Sequence, residues 1–294
     1  MITSVNETVT DLTGYIAAIL SKNDLPFNEY VLQMIIYKIK MELGDDHPIY
    51  DKIPYYWYCH GPFSEVVKKS YRHLKAYCTH VKDDKIAIKP EHIPNYQKNK
   101  ITNKFSEIEA INYTIIYKRN YIYSNLAEDI YKDYAPCKFI YPYKYKVFNL
   151  SESEKLAIDG EEFLKLVKHC DSLLPWDDFE LKYDIIFSNF VSAIDFFNDN
   201  DLIANYWSDI KQALRNLWFT YAKGMRIQKH DFYYDDKKQL WNRIYLQSLD
   251  KTGDTVQTLL DNSLNTVDFN YPPEYTPRQK KFLNTLAEAY LRDD

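Results

Sequence analysis

Residues 55–65 read YYWYCHGPFSE, and this aromatic stretch decides the fold of the N-terminal part of the chain. Four consecutive aromatic side chains at 55–58 cannot all face water, so they predict a short buried strand. Gly61 and Pro62 predict the end of that strand, because glycine accepts unusual backbone angles and proline lacks a backbone donor. Ser64 then stands where a helix N-cap belongs, since its hydroxyl can accept from a free N–H of the following helix.

A helix with two different faces is predicted from Ser64 to Cys78. Its apolar positions recur at helical spacing and are Val67, Tyr71, Leu74 and Cys78. The cations on another face are Lys68, Arg72 and Lys75, with Lys69 and His73 beside them. Two interpretations of this basic face stay open: a row that follows nucleic-acid phosphates, or a solvated helix surface.

The neighbouring segments complete the pattern of a winged helix-turn-helix. Apolar spacing predicts helices over residues 12–20 and 28–43, before the aromatic stretch. Residues 85–89 alternate like a strand, which we expect to pair with 56–58 and form the wing. Lysines of this wing and of the loop predicted after it would extend a DNA footprint; they are Lys85, Lys89, Lys98 and Lys100.

Two short motifs in this region carry a family resemblance. Val31 to Tyr37 reads VLQMIIY, and Tyr58 to Ser64 reads YCHGPFS, with Tyr58, Gly61, Pro62 and Ser64 as the structural positions. With these motifs, residues 29–77 resemble the Panacea-type winged-helix family, the SocA-like antitoxins that are also phage-associated. The resemblance implies a winged-helix fold and a role in toxin neutralisation or gene regulation.

Length and charge predict two domains with different partners. The 294 residues suffice for two domains, which we place at 1–150 and 151–294. Residues 1–150 hold 20 Lys and Arg against 17 Asp and Glu, whereas residues 151–294 hold 17 against 25. Within residues 61–120 the numbers are 12 and 6, which predicts a basic patch suited to phosphates or to an acidic partner. The acidic half is suited to dimerisation or to a basic partner.

The sequence lacks the features of a membrane or disulfide-bonded protein. No apolar run reaches the length of a membrane span, and the first twenty residues do not resemble a secretion signal, so we expect a cytoplasmic protein without a membrane partner. The four cysteines are scattered without a Cys-x-x-Cys pair, which favours buried thiols over disulfides or a zinc site.

The rest of the chain reads as one more strand and then a helical domain. Residues 139–148, FIYPYKYKVF, alternate with period two, which predicts a strand that Pro142 confines to a sheet edge. The alternative is a base-stacking platform of Tyr141, Tyr143 and Tyr145 interleaved with lysines.

The helices predicted around this strand and after it cover 103–118, 124–134, 177–198, a long segment from Asp201, two segments near Trp241 and Val256, and a last one from Thr276. Capping-box spacings begin at Ser151 and Asp159. The predicted fold class is therefore mostly α, with a winged helix-turn-helix-like α+β domain followed by an all-α domain.

No catalytic, cofactor or metal motif emerges. The chain contains no Gly-x-Ser-x-Gly, no phosphate-binding loop and no dinucleotide fingerprint. Imidazole and carboxylates meet at His230, Asp231, Asp235 and Asp236, but a third well-spaced metal ligand is missing. His60 is interpreted as a hydrogen-bonding residue at the strand end.

These patterns predict a non-enzymatic regulatory or antitoxin-like protein without cofactors. Its winged-helix domain is expected to bind double-stranded DNA or a protein partner, and a homodimer is compatible with either. The alternative is an interaction or inhibitor module without DNA contact, which neutralises a toxin or another basic protein or belongs to a phage or host-defence system.

Overall fold

The structure is a computed structural model that describes residues 2–94, 119–174 and 181–265. As predicted, the described chain is mostly helical, with two small two-stranded sheets near the N-terminus followed by an all-helical region. It forms two compact units, Met1–Tyr145 with Trp218–Ser248, and Lys146–Leu217 with Leu249–Asp294. Each unit therefore draws on two segments, whereas the predicted domains divided the chain once, at residue 150.

The elements follow one another in this order: α1 (Ile2–Lys22), α2 (Glu29–Leu43), β1 (Tyr56–Tyr58), β2 (Gly61–Phe63), α3 (Glu65–Leu74), β3 (Cys78–Lys82), β4 (Lys85–Ile88), α4 (Arg119–Ser124), α5 (Leu126–Tyr134), α6 (Gly160–Ser172), α7 (Leu181–Asp199), α8 (Trp207–Gln228) and α9 (Lys238–Asn265). Among these residues, no helix is both long enough and apolar enough to cross a bilayer.

Helices α1, α2 and α3 and the β3–β4 hairpin form the winged-helix part of the first unit. Phe27, between α1 and α2, exchanges two backbone hydrogen bonds with Ile86 of β4, at 2.9 and 2.8 Å. With the β1–β2 hairpin inserted between α2 and α3, the order of helix, bridging residue, helix, helix and hairpin is that of a winged helix-turn-helix. Phe27 is fully buried, and the side chains of Ile86 and Ile88 point inward from β4. Strand β4 therefore covers the core beneath the helices.

The aromatic stretch forms a hairpin of its own. β1 pairs antiparallel with β2, with Trp57 opposite Pro62 and Tyr58 opposite Gly61. Two predictions are corrected here. The Gly-Pro pair does not end the sheet but begins β2, and residues 85–88 pair with β3 instead of with 56–58. Both hairpins close over very short turns, and such local pairing costs less chain entropy than pairing across thirty residues.

Helix α3 begins as predicted and ends earlier. The Ser64 hydroxyl accepts from the N–H of Val67 at 3.4 Å, which confirms the N-cap. Val67, Tyr71 and Leu74 are buried on one face. The helix ends at Leu74, so Cys78, expected on the same face, instead begins β3. The following residues include β-branched side chains, which favour extended backbone.

The second segment of the first unit holds the aromatic hairpin in place. The N–H of Trp57 donates to the carbonyl of Lys229 at 3.1 Å, and the N–H of Asp231 donates to the carbonyl of Tyr55 at 2.9 Å. The carboxylate of Asp231 accepts from the Tyr55 N–H at 2.7 Å and from Lys40 Nζ at 2.6 Å. Lys40 is buried on α2, so this ion pair also satisfies a cation that water cannot reach.

Residues 139–148 do not form the predicted edge strand. They make a helical turn at Ile140–Pro142, a π-helical turn at Tyr143–Val147 and a 3₁₀ turn at Phe148–Glu152. Of the four fully buried hydrophobic side chains, Phe139, Tyr143 and Val147 are four residues apart, and Ile140 adjoins the first of them. Apolar residues that alternate with period two also recur every four residues. Residues four apart lie on the same face of a helix, so the same pattern fits a helical backbone. The alternative platform of three tyrosines on one strand face is excluded by the same backbone.

The second unit is built from α6 and α7, with parts of α8 and α9. Asp159 caps α6, because its carboxylate accepts from the N–H of Glu162 at 2.7 Å. Ser151, the other predicted cap, lies in a 3₁₀ turn and donates to the carbonyl of Phe148. Asp201 does not open α8, which begins at Trp207. Asp201 has a φ of +56°, a left-handed conformation that does not occur within a right-handed helix.

Helix boundaries elsewhere differ in detail. The helix predicted for 124–134 is α5, which begins two residues later, at Leu126, and ends at Tyr134 as predicted, while Ser124 is the last residue of α4. The predictions for 95–118, for 177–180 and from Thr276 onward lie outside the described residues.

A candidate nucleic-acid interface

An open groove in the first unit runs between α3, the β1–β2 hairpin and the start of α2. Its volume is about 1170 Å³. The elements that line it come from one continuous stretch of sequence, since α2 leads to the hairpin and the Ser64 cap turns the chain directly into α3. The sequence stretch that decides the fold therefore also builds the groove.

The groove gathers four predicted cations on one wall, three of them on α3 and the fourth directly after its last residue. They are Lys68, Lys69, Arg72 and Lys75. Lys68 is half-buried, with Nζ 5.4 Å from the centre of the Phe63 ring, and the other three are exposed. In the described part of the chain, none of the four forms an ion pair. They are therefore available to an anion from outside.

Three carboxylates also line the groove, and two of them are already engaged. Glu65 forms an ion pair with Lys237, and Asp84 accepts from the Asn28 amide at 2.7 Å. Glu29 lies in the first turn of α2, where a negative charge is favoured by the helix dipole. Only Glu65 has a cationic partner, since a neutral amide leaves the charge of Asp84 in place, so four cations face two unneutralised carboxylates and the lining carries a net positive charge.

The floor of the groove is aromatic. Tyr58 and Phe63 from the hairpin are half-buried there, and Tyr30 of α2 is 42% exposed. Burial raises the pKa of Tyr58, so its hydroxyl remains neutral at physiological pH. Gly61 and Pro62 are buried beneath these rings. The groove thus offers ring surfaces beside its cations.

Ser64 supports the groove from within. It is fully buried, and the side chain of Gln33 holds its backbone from both sides: Nε2 donates to the Ser64 carbonyl and Oε1 accepts from the Ser64 N–H, each at 2.9 Å. The N–H of Glu65 donates to the hydroxyl of Tyr234 at 3.0 Å. The start of α3, and so the direction of its basic face, is fixed by these bonds.

Sequence patterns missed Arg226, which lies behind the groove floor. This arginine of α8 is 8% exposed, and its guanidinium carbon lies 4.9 Å from the centre of the Tyr58 ring and 5.2 Å from that of Trp241. Its Nε and Nη2 have no hydrogen-bond partner within the described residues. Burial lowers the pKa of Arg226. A single arginine in an amphipathic helix gives no signal that it packs against Tyr58, which lies 168 positions earlier in the sequence.

Of the other predicted residues that the structure describes, Lys85 and Lys89 do not line the groove, whereas His60 does. Lys85 is half-buried on β4, with Nζ 4.2 Å from the centre of the Tyr123 ring. Lys98 and Lys100 lie outside the described residues. His60, interpreted as a hydrogen-bonding residue, lies exposed in the hairpin turn at the rim of the groove. Partial burial of the ring, and then the charge of Lys144, lower the pKa of His60.

The cluster of His230 with three aspartates is used within the fold. Nε2 of His230 lies 2.9 Å from Asp235 Oδ1, and Asp231 is bound to Lys40. Over residues 2–94, 119–174 and 181–265, no group of three or more His, Cys, Asp or Glu side chains is placed to hold a metal ion.

Comparison with known proteins does not assign the groove. Searches with protein-family models, against curated protein sequences and against solved structures found no match to this chain. The functional interpretation therefore rests on the geometry and charge of the groove itself.

Proposed function

We propose that the chain is a non-enzymatic regulatory or antitoxin-like protein that binds double-stranded DNA through α3 and the β3–β4 wing. The observation that carries this proposal is the wall of four cations on α3 and at its C-terminal end, none of them ion-paired within the described chain. Phosphate contacts from lysine and arginine provide most of the affinity of a protein for DNA.

The dimensions of α3 suit this role. A helix of ten residues is about 15 Å long, and the major groove of B-DNA, about 12 Å wide, admits an α-helix. The wing follows α3 directly, and its exposed residues Thr79, His80 and Lys82 would lie beside the helix against a neighbouring phosphate strand.

The resemblance of residues 29–77 to the Panacea-type family supports the same role, since it implies gene regulation or toxin neutralisation. A cytoplasmic location and a homodimer belong to this proposal. The cytoplasm is where such a protein would meet DNA, and a dimer would double the number of phosphate contacts.

The test is the salt dependence of binding to a labelled random-sequence duplex, followed by fluorescence anisotropy. Four phosphate contacts give a slope of about −3.6 in log K against log salt, so affinity should fall about 150-fold between 50 and 200 mM salt. The variant Lys68→Glu with Arg72→Glu should lose at least tenfold in affinity and show a shallower slope.

The matched control, Lys155→Glu with Lys251→Glu, makes the same charge change on exposed lysines of the second unit and should bind like the unmodified chain. Binding that ignores both salt and the α3 variant contradicts the proposal.

A protein partner is the second candidate, and one exposed ring favours it. Phe232 is 82% exposed and lies in a depression that contains both carboxylates, Asp235 and Asp236, and cations, Lys69 and Lys237. Exposed apolar side chains mark protein-interaction sites, and aromatic residues are enriched there, so this ring is suited to anchor a protein partner such as a toxin. Binding of such a partner should be lost in Phe232→Ala and unaffected in the Lys68 and Arg72 variant.

A further inference from the structure

The shape of the groove differs from what contact with a duplex requires. A DNA helix would touch the exposed edge of α3, but it is too wide to enter a concavity of about 1170 Å³. A volume of this size is sufficient for a small flat ligand of the kind that proteins bind in clefts. Duplex contact alone therefore leaves the aromatic floor unused.

The floor and wall together indicate the chemistry of the missing ligand. Tyr58 and Phe63 present ring surface, while Lys68, Arg72 and Lys75 stand beside them. Aromatic rings alone would suit many apolar molecules, and cations alone would suit any anion. Rings for stacking next to cations for phosphate are the combination with which proteins hold unpaired nucleotides.

Arg226 is an independent observation on the same floor. Its buried guanidinium lies over the ring of Tyr58, with two nitrogens that lack a partner in the described chain. A desolvated cation over a tyrosine ring draws on the ring's negative face. Tyr58 is thereby polarised and held in position, which suits it for stacking against the electron-rich face of a nucleobase.

We propose that this groove binds one unpaired nucleotide of the DNA, with its base stacked on Tyr58 and its flanking phosphates on Lys68, Arg72 and Lys75. Arg226 is a positioning residue for Tyr58. The inference rests on the proposed DNA binding and names the form of DNA that the groove prefers: a duplex with a single-stranded end or gap.

The experiment compares a blunt duplex with the same duplex carrying a three-nucleotide gap, by fluorescence anisotropy at fixed salt. Stacking of one base contributes about 1–3 kcal/mol, so the gapped DNA should bind about tenfold more tightly. Tyr58→Ala should abolish this preference, and Tyr58→Phe should keep it. Phe219→Ala, which removes an exposed ring of α8 that does not line the groove, should leave the preference unchanged.

A second measurement on the unmodified chain does not depend on the folding of a variant. A 2-aminopurine placed in the gap should lose fluorescence on binding, because stacking on a ring quenches it, and the same base within the duplex should not. Equal affinity for the two DNAs, or an unquenched 2-aminopurine in the bound complex, overturns the inference while leaving duplex binding in place. Failure of DNA binding as such is recognised separately, by the absence of salt dependence with the blunt duplex.

Discussion

Gly61 occupies a backbone position that a side chain would strain. Its φ is +95°, which L-residues rarely adopt. A Cβ at this position would stand 3.1 Å from Cε2 of Tyr131. The Tyr131 ring is buried and packs against Trp57 at 5.4 Å, so it has no room to withdraw. The close approach of the hairpin to α5 therefore requires glycine.

Gly61→Ala is expected to destabilise the protein by about 2–4 kcal/mol, from backbone strain plus the clash with Tyr131. Chemical denaturation measures this as a lower midpoint at an unchanged slope. Gly44→Ala is the matched control, because Gly44 also has a positive φ, +76°, but no atom lies within 4 Å of its would-be Cβ. Equal losses in the two variants would show that Tyr131 contributes nothing to the requirement.

The residues of the site differ in whether the neighbouring sequence is enough to predict them. Lys68 and Arg72 were predictable, because helical spacing places them together on α3 whatever the rest of the chain does. Arg226 was not, because its role depends on packing against Tyr58, and no periodicity in α8 encodes that contact. Lys85 was overestimated for the same reason: its sequence neighbours look like a basic wing, but its ammonium lies over the ring of Tyr123.

At the scale of elements, α3 depends on a side chain from α2. Gln33 is 2% exposed and pairs with both backbone groups of Ser64. The carbonyl of Ser64 also accepts from the N–H of Lys68 in the first turn of the helix, whereas the Ser64 N–H has Gln33 as its acceptor. The main role of Gln33 is therefore to provide an acceptor for the buried N–H of Ser64.

Gln33→Leu is expected to cost about 2 kcal/mol, because it leaves the buried Ser64 N–H without a partner at nearly constant side-chain volume. Ser64→Ala should cost about 1 kcal/mol, the usual loss for an N-cap. Thermal unfolding of both variants at one pH ranks them. We expect Gln33→Leu to be the less stable of the two variants, and equal stability of the two would contradict the prediction.

The elements show why local pattern predicts some structures and not others. The Ser64 cap and the apolar faces of α1, α2 and α3 were predicted, because one helix face determines each of them. Residues 139–148 were not, because their alternation fits both a strand and a helical repeat of four. Burial of Phe139, Tyr143 and Val147 decides between these, and burial is a property of the assembled core.

At the scale of the whole molecule, the first unit joins segments far apart in sequence. Lys229 and Asp231 bond to the backbone of β1, and Tyr234 bonds to the start of α3. Such pairing carries no periodic signature, so the sequence predicted the two halves of the chain but not that Trp218–Ser248 belongs with the first.

The pH dependence of stability belongs to the second unit, where Asp184 is 3% exposed. Burial, and then the charge of Asp171, raise the pKa of Asp184 to about 6, above the value of about 4 in an unfolded chain. The folded state therefore keeps a proton that the unfolded state releases. Its stabilising effect is complete below about pH 4 and is lost as pH rises through 6.

Asp184→Asn, which resembles the protonated acid, should gain stability over the unmodified chain at pH 7.5 and none at pH 4. Urea denaturation at both pH values tests this, with exposed Asp254→Asn as the control; a gain that is the same at both would contradict it.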